Sequence, residues 1–222
     1  MALGAVRTNG SSAAAPASPV TPDLATSVMA IDLLAHWWSR PVAEEVSAWA
    51  KAATRGTEVV AGLPDSDGGP LGVSAEELAG LVDEYERLFV GPGPVPCPPY
   101  ESFWREDVPI DIRRSLMGPC TADLKGLYGE LGIGLSPESR ELPDHIAVEL
   151  EALAYALSSG AGRVANALFL DHLRRWLPRF CRAVAHEAES AFYRDLALRT
   201  LRWTTPIQRY CESIDDAGGD AR

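Results

Sequence analysis

Asp144 and His145 stand side by side after Pro143, with Glu149 four residues beyond the histidine. An acid next to an imidazole where a helix opens has two uses. Asp144 can cap the helix and suit the positive end of its dipole, which leaves His145 in the first turn on the same side as Glu149. The group reads either as a polar recognition patch or as a helix cap beside a hydrogen-bonded surface histidine. A second group, Tyr100-Glu101-Ser102-Phe103-Trp104, follows Pro98-Pro99. Aromatics beside a stiff loop can form a ready-made groove for an apolar segment, with little ordering cost on binding. Alternatively, Phe103 and Trp104 close one end of a core.

Neither group completes a catalytic device. Ser102 lacks the G-x-S-x-G elbow of a nucleophile. His172 and His186 are 14 residues apart, and no H-E-x-x-H pair occurs. Cys97, Cys120, Cys181 and Cys211 form no C-x-x-C site and read as free thiols. The GPGP stretch has the glycines of a phosphate loop but lacks its Lys-Ser/Thr, and its prolines remove backbone donors. The expectation is no catalytic residue, no metal site and no cofactor. The enzymatic alternative is a small helical nucleotide-hydrolysing enzyme built on His145 and its acidic neighbours.

The elements that must position these groups are helical. A first helix opens at Thr21-Pro22 and carries Leu24, Val28, Ile31, Leu34 and Trp38 at intervals of three and four. A second follows Pro41 with Val42, Val46 and Trp49, and Gly56 closes it. After a Gly/Pro/Asp-rich loop at 62–73, Ser74 and Glu77 form a capping box for Leu78, Leu81, Val82, Tyr85, Leu88 and Phe89. Residues 91–99 hold five prolines and two glycines, which neither a helix interior nor a central strand accepts. The aromatic group behind them takes its register from that loop rather than from a helix. Pro119 opens the next helix, 132–143 is a linker, and another helix runs from near Asp144 to Gly160. The element after Gly162 bends or breaks at Pro178, and residues 180–203 continue as helix. No series of alternating segments and hairpin turns appears, so the reading is an all-α, single-domain helical bundle. Its bounds are a disordered leader at 1–20, the domain at 21–210 and a flexible tail at 211–222.

The 222 residues carry a formal charge of −11. Residues 1–111 hold 16 acidic against 6 basic side chains, and residues 112–222 hold 15 against 14. Such a surface repels phosphate backbones and excludes a nucleic-acid partner, while it suits a basic peptide. The leader lacks an apolar core ahead of its small residues, and no stretch reaches the roughly 20 apolar residues of a membrane span. A cytoplasmic protein without stable membrane insertion is expected.

Three stretches, taken in order, resemble the TorD/DmsD family of redox-enzyme maturation chaperones, with nitrate-reductase delta subunits as more distant relatives. The first runs from Tyr85-Glu86-Arg87-Leu88-Phe89 through Gly-Pro-Gly to Pro98-Pro99-Tyr100-Glu101-Ser102. The second is Pro143-Asp144-His145 with Glu149-Leu150, and the third is His172-Leu173-Arg174-Arg175-Trp176. The resemblance implies an all-α chaperone that binds the N-terminal signal region, often with twin arginines, of a molybdopterin-dependent catalytic subunit. It would hold that subunit in the cytoplasm until the molybdenum cofactor is inserted. On this carry-over Pro98, Pro99, Tyr100, Glu101, Ser102, Asp144, His145 and Glu149 are the peptide-binding residues. Glu101, Asp144 and Glu149 would face signal-peptide arginines, and Tyr100 would receive the apolar region. Tyr100 stands where many relatives have Trp. The overall character is closest to chaperones of the dimethyl-sulfoxide-reductase class, and a delta-subunit-like assembly factor for a non-exported enzyme is the neighbouring alternative. Monomer and domain-swapped dimer are both open, with 132–143 as the exchange point.

Overall fold

The computed structural model describes residues 24–54, 75–109, 118–136 and 141–219. The leader, Thr21-Pro22, Gly56, the loop at 62–73 and the capping box at Ser74 therefore lie outside the described residues. Within them every regular element is a helix, so the fold is all-α. In chain order these are α1 (Leu24–Trp38), α2 (Ala43–Thr54), α3 (Ala75–Tyr85), α4 (Glu101–Trp104), α5 (Pro119–Glu130) and α6 (Ile146–Ser158). They are followed by α7 (Gly162–Asn166), α8 (Arg174–Glu187) and α9 (Ala191–Gly219). Two π-helical segments, Glu86–Val90 and Ala167–Leu173, extend α3 and join α7 to α8.

Phe180 is the hub of the core. Its ring lies 5.1 Å from Trp38, 5.4 Å from Trp176 and 5.9 Å from Trp104, all in tilted or edge contacts, which adds to the gain from burying so much ring area. A hydrogen bond crosses this core, from the Trp38 indole to Thr200 Oγ1 at 3.0 Å. It ties α1 to α9 and satisfies a donor that burial would otherwise strand. The stripe expected on α1 faces the core: Ile31, Leu34 and Trp38 are sealed, with Ala30 and Ala35 beside them, and Leu24 and Val28 pack half-buried against it. Val42, expected inside, is exposed, and Val46 is the buried residue of its turn.

The end of α3 shows how a proline-rich loop is held. The π turn is closed by the Gly91 amide, which donates to Glu86 O at 2.7 Å, and Gly91 takes φ 108°, open to residues without a Cβ. The loop then returns, and the Cys97 amide donates to Leu88 O at 3.0 Å. Cys97 is the one residue of Pro96-Cys97-Pro98-Pro99 that has an amide hydrogen.

Three elements differ from the sequence reading. Residues 101–104 form a helical turn of their own, α4, rather than following the loop's conformation. Pro178 sits inside α8 without breaking it; it falls in the second turn, next to the π segment where the hydrogen-bond pattern is already shifted. The helix expected over 180–203 is interrupted at Ala188, whose ψ is 128°, and restarts as α9. Glu84 Oε1 accepts from the Glu189 and Ser190 amides at 2.7 and 3.2 Å, satisfying donors at the break. At the other end, α9 continues to Gly219, and Cys211, the first residue of the expected tail, is fully buried.

Candidate functional site

Two distant stretches meet in an antiparallel bridge between Tyr100 and His145. The Glu101 amide donates to Asp144 O and the Ile146 amide to Pro99 O, both at 2.9 Å. Prolines make this pairing possible by fixing Pro98-Pro99 in extended backbone. Asp144 reinforces it with its side chain, whose Oδ2 accepts from the Ser102 amide at 3.1 Å. The tyrosine ring meets the imidazole edge-on at a centroid distance of 5.3 Å, and its hydroxyl donates to Glu141 Oε2 at 3.3 Å.

Asp144 therefore serves Ser102, at the start of α4, rather than capping α6. The N-cap of α6 is His145, whose Nδ1 accepts from the Ala147 amide at 3.2 Å. That bond assigns the neutral tautomer with hydrogen on Nε2. Burial pushes the imidazole down to about 4, which keeps it neutral at physiological pH. His145 is 1% exposed, so the expected surface histidine is an interior one.

Glu101 and Glu149 lie at 0% exposure behind the bridge. Glu101 Oε1 accepts from Arg105 Nη1 at 2.5 Å, and its Oε2 lies 2.9 Å from His172 Nδ1. Arg105 continues to Asp107 Oδ1 at 2.6 Å and to the Asp171 carbonyl at 3.0 Å, so the network reaches the π segment before α8. Arg175, exposed at the edge of this network, is 3.3 Å from Asp107 and 3.2 Å from Asp171. Glu149 Oε2 accepts from the Trp176 indole at 3.4 Å. Burial, with Glu101 and then Asp144 nearby, drives the Glu149 carboxyl well above its ordinary range. Burial raises Asp144 as well, with the Ser102 hydrogen bonds opposing it. Asp144 Oδ1, His145 Nε2 and Glu149 Oε1 have no hydrogen-bond partner among the described residues.

All eight expected residues thus converge on one junction, but most of them are inside it. Pro98 and Tyr100 are half-buried, whereas Pro99, Glu101, Ser102, Asp144, His145 and Glu149 are buried. An incoming arginine meets no exposed carboxylate of Glu101, Asp144 or Glu149 in this conformation. The His145 imidazole, on which the hydrolase alternative rests, is closed to solvent here. Arg105, Asp107 and His172 were missed as members of the network, although Glu101 and Arg105 stand at i, i+4, the spacing of a helical ion pair. Trp104 packs on Phe180 and donates to Pro98 O at 2.6 Å, so it closes the core end, while Phe103 is exposed.

No group of three or more metal-ligating side chains occurs among the described residues, and the cysteines at 97, 120, 181 and 211 are buried and form no disulfide among the described residues. No helix of the described residues is long and apolar enough to cross a membrane. A family model described as nitrate reductase delta subunit matches residues 38–182, which include the junction and its network. The chain belongs to the nitrate reductase delta subunit family. Among curated proteins, this delta-subunit family member is 31% identical over 116 residues to the Tat proofreading chaperone DmsD of Salmonella typhi, covering 52% of this chain and 54% of that one. It is 25% identical over 137 residues to the chaperone protein TorD of Shewanella loihica, covering 62% and 64%. The matched stretches span from about half to just under two thirds of the length of those relatives.

Proposed function

We propose that the chain is a cytoplasmic maturation chaperone for a redox enzyme. It binds the N-terminal signal region of a molybdopterin-dependent catalytic subunit of the dimethyl-sulfoxide-reductase class and assists cofactor insertion before export. The observation that carries this reading is the locked junction of Pro98–Ser102 with Asp144–His145, present in a chain similar to DmsD and TorD chaperones. Pro98 and Tyr100 are the members with surface to offer a peptide. Glu101, Ser102, Asp144, His145 and Glu149 act by holding that surface, so that little ordering is required when the client arrives.

Calorimetric titration of the full chain with the N-terminal peptide of a neighbouring molybdoenzyme catalytic subunit, and with the whole apo-subunit, tests the proposal. Saturable binding to either supports it, and binding to neither rejects it. The delta-subunit family match favours a second form of the reading, assembly of a non-exported enzyme. That form predicts undiminished binding to an apo-subunit from which the signal region has been deleted.

A further inference from the structure

On the side of α6 away from the buried network lies an open groove of about 1210 Å³, walled by α1, α6 and residues 133–136. Its volume lies somewhat above the roughly 300–1,000 Å³ of an ordinary small-molecule pocket. A helix taken as a cylinder about 10 Å across, rising 1.5 Å per residue, would fill it with roughly ten residues. The lining is mainly apolar, with Val28, Ile133 and Val148 half-buried in its walls. Met29, Tyr155 and Leu135 in the same lining are 59%, 47% and 37% exposed. A face with so many large apolar side chains in solvent marks an interaction site rather than a finished surface.

Charge narrows the occupant. Among the lining residues the charged side chains are Asp32 and Glu151, one from each wall and both acidic. Glu151 is held above its usual carboxylate range by partial burial and then by the negative charge of Asp32, with His36 opposing. A cation set between the two relieves that repulsion.

We propose that this groove receives a helical segment of the client, its apolar face against α1 and α6 and a basic side chain between Asp32 and Glu151. The proposal rests on the chaperone reading above and names the place and the charge that would serve it. This is the helix-in-groove mode of recognition. The groove is also joined to the junction: Tyr128 stands in its wall and donates through its hydroxyl to Pro143 O at 2.7 Å, one residue before Asp144.

The test uses the full chain and a fluorescein-labelled synthetic peptide, an Arg-Arg pair followed by a helical Ala/Leu run, read by anisotropy. The double variant Asp32→Asn/Glu151→Gln alters exposed positions only and is expected to bind roughly tenfold more weakly, with a flatter salt dependence. Met29→Lys, which places a cation in the groove, is expected to weaken binding to a similar degree. A photoreactive benzophenone side chain at Tyr155 is expected to crosslink to the probe. Crosslinking instead to residues 1–23 of the same chain, or to a second copy, overturns the proposal, as does a probe with both arginines replaced by glutamine that binds equally well. If the wild type and the double variant bind the client's N-terminal peptide alike, the groove assignment fails and the chaperone reading stands. If the wild type binds neither that peptide nor the apo-subunit, both fail.

Discussion

Glu149 Oε2 accepts from the Trp176 indole at 3.4 Å in the interior of the bundle, and its other oxygen has no partner among the described residues. An ionised carboxylate in that setting would be very costly, so the folded chain keeps the proton. The pH dependence follows from that. Unfolded Glu149 releases its proton above about pH 4.5 while the folded group retains it. Its contribution to wild-type stability is therefore full below that pH and declines as pH rises, until the folded carboxyl ionises. Glu149→Gln keeps the shape without the titration. Urea unfolding of both proteins from pH 5 to 8 should show the variant gaining on the wild type by up to about 1.4 kcal/mol per pH unit.

His145 has the opposite slope. Its folded value of about 4 lies below the ordinary 6.5, so the unfolded chain takes up a proton that the folded chain refuses. The stabilisation is complete above about pH 6.5 and is lost as pH falls towards 4, by about 3 kcal/mol in all. His145→Asn retains a side chain suited to the N-cap of α6. Its unfolding midpoint should be less sensitive to pH than the wild type across that window, as urea melts at pH 4.5 and 6.5 would show.

Glu101 and Arg105 form a buried pair, and losing Glu101 takes the innermost partner from Arg105, which keeps Asp107 and the Asp171 carbonyl, and takes the carboxylate from His172. Glu101→Ala should cost about 3–5 kcal/mol. A double-mutant cycle with Arg105→Met should show a coupling of about 0.5–3 kcal/mol between the two, as residues of one ion-pair network do. Additive losses in denaturant melts would show that the two act separately.

Gly91 has φ 108°, and a Cβ built there lies 3.3 Å from Gly93 N. Gly91→Ala should cost about 1–3 kcal/mol through backbone strain. Gly80 in α3 has open space around its Cβ position, and Gly80→Ala should stabilise by about 0.5–1 kcal/mol. Thermal melts of the two variants should therefore move in opposite directions.

The helices were legible wherever proline, glycine and apolar spacing agreed: Pro119 opens α5, and the stripe Leu78, Leu81, Tyr85, Leu88 and Phe89 is buried as its spacing requires. The break at Ala188 was not, because no proline or glycine marks it and Glu84, over 100 residues away, satisfies its amides. The meeting of Tyr100–Ser102 with Asp144–His145 came from a family resemblance rather than from local pattern. Burial of the acids within it was hidden for the same reason. Sequence shows Glu101 and Glu149 as charged residues, and only packing supplies the Arg105, His172 and Trp176 that let them lie inside. The α1/α6 groove left no motif at all, since Met29 and Tyr155 look like ordinary members of amphipathic helices.

The return bond from Cys97 to Leu88 sets a ceiling on how stiff the loop can become. Each neighbour of Cys97 in Pro96–Pro99 has already exchanged its amide hydrogen for a locked ring. A fourth proline would add rigidity and cut the tether in the same step, leaving a straight rod no longer moored to the helix it leaves.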